Sequence, residues 1–180
     1  ITETGYCAPT WKALQAALTE AKNVGILYCS AEANSVYQAD VVKAALEEKG
    51  VTVTVYTFAD SNDVATVTQT ACAENDALYI PTDNTAASCT EAINNVAEPA
   101  GVPIVAGEEG ICKGCGIATL SIDYYELGKT TGAMAAKILT GEANVSEMPI
   151  EYYQNPVKKY DVARCEALGI TVPADYVAIG

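Results

Sequence analysis

Short apolar runs alternate with amphipathic stretches from one end of the chain to the other, and this alternation is the strongest constraint on what the sequence can fold into. Strand candidates lie at 24–28, 51–56, 77–80, 103–106 and 117–122, each flanked by Gly, Pro, Asn, Asp or Ser. A sixth lies at 150–153. Between them run helical patterns with their own punctuation. Thr10 can cap a helix with the stripe Trp11, Leu14, Leu18 and Ala21, and Asn34 or Ser35 can cap a second that Gly50 closes. Ser61 opens a third along Val64, Val67 and Ala71. Asp83 or Asn84 opens a fourth along Cys89, Ile93, Val96 and Ala100, closed by Gly101. Asp123 and Glu126 have the spacing of a capping box for a fifth, with Leu127, Thr131, Met134 and Ile138 on one face and Gly141 at its end. Asn155-Pro156 supplies an N-cap and a first-turn proline for a last helix ending at Gly169. The expected fold is α/β, a doubly wound and mostly parallel sheet with helices on both faces.

Charge and residue usage remove whole classes of function. Ten basic against 23 acidic residues give a net charge of −13, which repels nucleic-acid backbones and anionic membrane surfaces, so no nucleic-acid partner is expected. Histidine is absent, which excludes Ser-His-Asp and Cys-His nucleophile systems and histidine metal sites. No apolar run approaches the ~20 residues of a membrane-crossing helix. Any secretion leader or lipid anchor is expected outside the 180 residues.

Seven cysteines cannot all pair within one chain. Cys29, Cys72 and Cys89 fall where a small apolar residue is expected. Cys112-Lys113-Gly114-Cys115 has the spacing of a redox pair or half a zinc site, but a second ligand pair is missing. With Glu108 and Glu109 nearby opposing a thiolate, this segment is expected to be a loop without redox function, and neither a metal nor a cofactor is expected.

In an open α/β sheet, ligands sit outside the carboxyl ends of the strands, where loops enter helix N-termini. Four polar loops follow strands here: SAEANS at 30–35, PTDNT at 81–85, GEEG at 107–110 and DYY at 123–125. Asn34, Ser35, Asp83 and Asp123 also stand where helix caps are wanted, a role worth ~0.5–2 kcal/mol by itself. Glu108 and Glu109 read equally well as solvated loop charges, and Tyr124 and Tyr125 as rim residues.

At these same loops the chain resembles the substrate-binding proteins of ABC transporters of periplasmic-binding-protein type I, particularly the branch associated with tryptophan and other aromatic amino acids. The resemblance rests on NVGILYCSAEANSVYQ, DALYIPTDNTAAS, GVPIVAGEEG, ATLSIDYYELGKTTGAMAAKIL and the closing LGITVP, and covers roughly residues 24–173. It implies a two-lobed, non-enzymatic receptor that closes on a small polar solute, most plainly an amino acid, and presents it to a membrane permease. It further implies an extracellular or periplasmic protein with a lipid anchor. Ligand contacts are then expected from Ser30, Asn34, Ser35, Thr82, Asp83, Asn84, Glu108 and Asp123. The match is mainly to the C-terminal lobe, with residues 1–23 as a leading helix near the crossover, 24–122 as the lobe, 123–149 as a helix that packs on the other lobe, and 150–180 as a return strand and terminal helix. A homodimer covering the surfaces that the other lobe would cover is an expected consequence.

Three rivals share parts of this pattern. The effector domain of a transcription regulator has the same lobes, but the acidity and the lack of a basic N-terminal segment oppose it. A phosphoacceptor receiver needs an acidic pair after its first strand, where this chain has Cys29 and Ser30. A redox module would have to rest on the CKGC segment alone.

Overall fold

A computed structural model describes residues 21–179. The helix expected along Trp11, Leu14 and Leu18 lies outside the described residues. Five parallel strands open the fold: β1 (Asn23–Cys29), β2 (Thr52–Phe58), β3 (Ala77–Ile80), β4 (Ile104–Ala106) and β5 (Ala118–Ser121). Two more, β6 (Val157–Tyr160) and β7 (Val177–Ala178), extend the sheet, whose order is β2-β1-β3-β4-β5-β6-β7 with only the β5–β6 pair antiparallel.

Helices α1 (Ala33–Glu47), α2 (Val64–Glu74), α3 (Asn84–Ser88), α4 (Thr90–Ala100), α5 (Glu109–Cys115), α6 (Tyr124–Leu139) and α7 (Val162–Ala167) fill the connections. They divide between the two faces. On one, Val24, Ile26 and Tyr28 of β1 with Tyr79 and Val105 pack against Ala39, Val42 and Leu46 of α1. On the other, Leu27, Leu78, Ile80, Ile104 and Ala106 pack against Val64 and Ala71 of α2, Ile93 and Ala97 of α4, and Ile111 of α5. Strands buried on both faces have no polar side to show, which is why they read in the sequence as continuous apolar runs. The doubly wound, mostly parallel sheet expected from the alternation is the one observed.

Several local expectations are corrected. The second expected helix begins at Ala33, not after Asn34 or Ser35, whose side chains reach another loop. The third begins at Val64 after Asp63 rather than at Ser61. The fourth breaks at Cys89 into α3 and α4, and this sets Thr90 so closely under α5 that a Cβ at Gly114 would lie 2.4 Å from it. The CKGC segment is the last turn of α5, not a loop.

The largest correction is near the C-terminus. Within 150–153 only Tyr152 forms an isolated bridge, and residues 157–160, assigned from Asn155-Pro156 to a helix, form β6 instead. The open edge of β5 offers unpaired backbone groups, and pairing with Val157–Tyr160 satisfies them, which outweighs the local helix-start signal. The helix starts only after Asp161, whose side chain accepts from Arg164 N–H at 2.8 Å.

Arg164 fastens this last segment to the rest. Its guanidinium donates to Asn94 Oδ1 of α4 at 2.9 Å and to the Lys113 and Gly114 carbonyls ending α5 at 3.0 and 2.7 Å, and it pairs with Asp161 at 3.0 Å. An arginine at exposed helix carbonyls is favoured by both hydrogen bonding and the helix dipole. Arg164→Ala is therefore expected to destabilise the protein by about 2–3 kcal/mol. Urea unfolding checks the magnitude, and hydrogen exchange should show β6 amides loosening before those of β1.

Candidate ligand site at the carboxyl edge of the sheet

The strand order places a topological switch between β1 and β3: the chain leaves β1 for α1 on one face, while after β3 it enters α3 and α4 on the other. Loops that diverge to opposite faces leave a crevice between them, the standard place for a ligand in such sheets. Ser30, Asn34, Ser35, Thr82, Asp83 and Asn84 all stand at this crevice.

Their bonds tie the two loops together. Asn34 Nδ2 and Ser35 Oγ donate to the Thr82 carbonyl at 2.8 and 3.2 Å, and Gln38 Oε1 accepts from Thr82 N–H at 3.1 Å. Side chains of α1 thus hold both polar groups of Thr82. Asp83 is 1% exposed; its Oδ1 accepts from Ala86 N–H of α3 and its Oδ2 from Cys29 N–H at the end of β1, both at 2.8 Å. Ser35 is also fully buried, whereas Ser30, Asn34 and Asn84 are exposed and Thr82 is half-buried. Ser30 Oγ donates to the Phe58 carbonyl at 3.3 Å.

Glu32 is the residue that sequence reasoning left among the loop letters. It occupies the N-cap of α1 but makes no side-chain bond to that helix. Its Oε2 instead accepts from the backbone and side-chain nitrogens of Asn84 at 2.9 and 3.0 Å, and its Oε1 from Thr85 N–H and Oγ1 at 2.8 and 2.9 Å. Burial pushes the Glu32 carboxyl up, but the donations from Asn84 and Thr85 outweigh it and hold the group below the ordinary carboxylate range. The only signal for this in the sequence is an acidic residue just before a helix, which predicts a cap but not that the capped helix is a different one.

Glu108 and Asp123 stand farther along the edge, around a hollow of about 470 Å³ that also involves Glu109, Tyr124, Tyr125, Tyr153 and Lys159. Glu108 caps α5 through Gly110 and Ile111 N–H, and Lys159 of β6 pairs with Glu109 at 2.5 Å. Asp123 caps α6, its Oδ1 accepting from Tyr125 and Glu126 N–H at 2.9 and 3.1 Å. The eight expected residues therefore form two groups, six at the β1–β3 crevice and two at the hollow. Gly107 joins them: its N–H donates to the Ile80 carbonyl at 2.7 Å, its carbonyl accepts from Thr82 Oγ1 at 3.4 Å, and a Cβ there would lie 2.5 Å from Thr82 N. Only glycine permits this approach. Tyr153 and Lys159 became visible only once β6 was seen to pair with β5.

Cys112 and Cys115 are buried, at 0% and 3% exposure. Burial pushes the Cys112 thiol well above its ordinary range and the Cys115 thiol up to about 12, with Arg164 opposing and Glu108 reinforcing the latter shift. A reactive thiol needs the reverse, a stabilised thiolate open to solvent.

Comparison with known proteins places this edge in a family context. Residues 12–178 match the family model described as ABC transporter substrate binding protein. A tyrosine-binding protein of Clostridioides difficile strain R20291 is 30% identical over 131 residues, 73% of this chain and 38% of that protein. The ABC domain from Streptococcus pneumoniae in complex with L-Trp superposes with a TM-score of 0.86 at 27% identity, covering 93% of this chain and 57% of that one. The ligand-free, open structure of a substrate-binding protein with adhesive properties from Clostridium difficile has a TM-score of 0.74 at 30% identity, covering 95% and 59%. The chain thus spans less than two thirds of the length of each of these relatives.

The buried thiols give a pH expectation. Cys115 is neutral in the fold and ionises near its ordinary value of 9.0 when unfolded, so its contribution to stability is present below pH 9.0 and is lost as pH rises toward about 12. Titration with a thiol reagent at neutral pH should leave Cys112 and Cys115 unmodified until denaturant is added. Rapid labelling of both in the native protein would contradict the burial described.

Proposed function

Since the chain belongs to the ABC transporter substrate binding protein family, we propose that it is the greater part of a solute receptor that captures an amino acid outside the cell and delivers it to the permease of an importer. The observation that carries this reading is the continuous polar edge from Ser30 to Asp123, built at a switch point on a lobe of periplasmic-binding-protein type I. The amino-acid class is supported by the ligands of its relatives, tyrosine for the Clostridioides difficile protein and L-Trp for the Streptococcus pneumoniae domain. The protein is read as extracellular or periplasmic, held by a lipid anchor in its full form, and as a carrier with no catalytic step.

Within this reading the expected contacts have different tasks. The exposed Ser30, Asn34 and Asn84 and the half-buried Thr82 face the ligand, together with Glu108 and Asp123 at the hollow. Ser35 and Asp83 lie beneath and brace the loops. The first turn of α1, with no side chain of its own to cap it, suits the ligand's carboxylate, since helix N-termini favour anions. Asp123 suits the ammonium: it is exposed, and both of its cap bonds fall on Oδ1.

Helix α6 buries none of its residues; Leu139 is 86% exposed and Ile138 36%. We assign this ridge to contact with the other lobe of a two-lobed receptor, and with a second copy when the chain stands alone. Burying such side chains contributes ~1.5–3 kcal/mol each. Light scattering of the 180-residue chain should therefore show a dimer at high concentration, and a strictly monomeric chain would remove that assignment.

Thermal-shift screening of the full-length protein against amino acids, sugars and nucleosides tests the function, because a ligand of the folded state alone raises its stability. Amino acids should raise the melting temperature and the others should not; stabilisation by a sugar instead would sink the reading. In calorimetry, Asp123→Asn should weaken amino-acid binding by about 1.5–3 kcal/mol, the range for a hydrogen bond to a charged group. Asp83→Ala should act first on stability, since it strands the N–H groups of Cys29 and Ala86.

A further inference from the structure

The two acidic side chains at the switch point are exchanged between loops. Asp83, on the loop after β3, reaches back to cap the last N–H of β1, at Cys29. Glu32, on the loop after β1, reaches across 52 and 53 residues of sequence to Asn84 and Thr85 at the start of α3. A glutamate at the N-cap position ordinarily serves its own helix. Glu32 has the extended N-cap backbone, φ −100° and ψ 106°, yet its carboxylate bonds to Asn84 and Thr85 of the neighbouring helix.

From this geometry we infer that Glu32 is a positioning residue of the binding site, a clamp that holds Asn84 and Thr85 in register with Ser30 and Asn34; the inference rests on the solute-receptor reading above. Four donors converge on one carboxylate, two of them backbone N–H groups and two side chains, so both the path of the β3–α3 loop and the rotamers of Asn84 and Thr85 are specified from across the crevice. Charge-assisted bonds of this kind are stronger than neutral ones and directional. The clamp has a second consequence for the same site. With its carboxylate engaged at α3, Glu32 does not occupy the first turn of α1, and that turn keeps its capacity for an anion. Asn34 and Ser35, on that turn, are in their turn tied to Thr82. The loops on either side of the crevice therefore cannot shift independently, and a ligand meets a site whose ordering cost has been met in folding rather than in binding.

The test uses the full-length protein with L-tryptophan and L-tyrosine as probes, measured by calorimetry, alongside hydrogen exchange of the backbone amides. In Glu32→Ala, the Asn84 and Thr85 amides should exchange faster while β1 and β3 stay protected as before. Affinity for the probe that the wild type binds should fall by roughly tenfold or more, as expected when charged hydrogen bonds and preorganisation are removed. Glu32→Gln, which keeps one acceptor oxygen, should fall between Glu32→Ala and the wild type, a graded rescue that a general loss of packing would not produce. Thr85→Val should reproduce part of the loss and add little to it in the Glu32→Ala background. Unchanged affinity despite faster exchange at Asn84 and Thr85 overturns the inference. So does an affinity loss accompanied by deprotection of β1 and β3, which would make Glu32 a stability residue only. If Glu32→Ala does not fold, Glu32→Gln and Thr85→Val carry the same comparison. A wild-type protein that binds neither probe overturns the solute reading for these amino acids, a result separate from any behaviour of the variants.

Discussion

Where β1 and β3 send the chain to opposite faces of the sheet, backbone N–H groups are left at the ends of the strands, and one buried carboxylate deals with both sides of the divergence. Asp83 accepts from Cys29 N–H of β1 and from Ala86 N–H of α3 while only 1% exposed. A buried donor left without an acceptor costs about 1–3 kcal/mol, so removing this side chain exposes two such penalties at once. The rest of the crevice is arranged around this fixed point. Glu32 closes the same divergence from the other loop, and the Thr82 peptide between them has its N–H and its carbonyl held by Gln38, Asn34 and Ser35 of α1. A polar edge cross-linked in this way is held from both loops, through the bonds of Asp83, Glu32 and the Thr82 peptide.

The cores on the two faces explain why so much of the architecture can be read from the sequence. Strands β1, β3, β4 and β5 are buried on both faces, which selects runs such as ILYC and ALYI, whereas the edge strand β2 alternates as TVTVYTF and is largely exposed. Those runs are visible without any knowledge of the partner strand. Asp123 and Asp83 were likewise legible as caps, because an N-cap acts over three residues and its signal is entirely local. Whatever depends on a distant partner was not legible. Asn34 and Ser35 look like caps of the helix that carries them, and the sequence holds no mark of the Thr82 carbonyl 48 and 47 residues away. Residues 155–161 carry a good helix-start signal, yet β5 has a free edge and Val157–Tyr160 completes it. Glu32 is the sharpest case, a residue whose position is that of a cap and whose bonds belong to another element.

The same distinction applies to the cysteines. Cys112 and Cys115 have the spacing of a redox motif, but spacing says nothing about solvent. Helix α5 turns both inward against the sheet, and burial raises their thiol pKa values, so the thiolate required by exchange chemistry is suppressed. With Cys112 and Cys115 buried and histidine absent from the sequence, the side chains that line the edge are mainly hydroxyls, amides and carboxylates. Such groups can hold a polar ligand by hydrogen bonds and charge, as the proposed carrier role requires.

The distribution of charge along the edge then bears on which ligand such a carrier would take. At the β1–β3 end stands the first turn of a 15-residue helix, whose dipole is positive there and whose N-cap side chain is engaged elsewhere. At the β4–β5 end stand Glu108, Glu109 and Asp123, with Lys159 paired to Glu109 and therefore unable to balance all three. One end of the edge thus holds a helix N-terminus beside the engaged carboxylates of Glu32 and Asp83, and the other holds three carboxylates and one paired lysine. In the proposed receptor role, an amino acid with its carboxylate toward α1 and its ammonium toward Asp123 would meet a helix N-terminus at one end and an exposed carboxylate at the other, with Tyr124, Tyr125 and Tyr153 beside the ammonium end. Under the proposed receptor reading, a preference for amino acids would follow from how two helix starts are capped, one by its own aspartate and the other left open because its glutamate holds a neighbour.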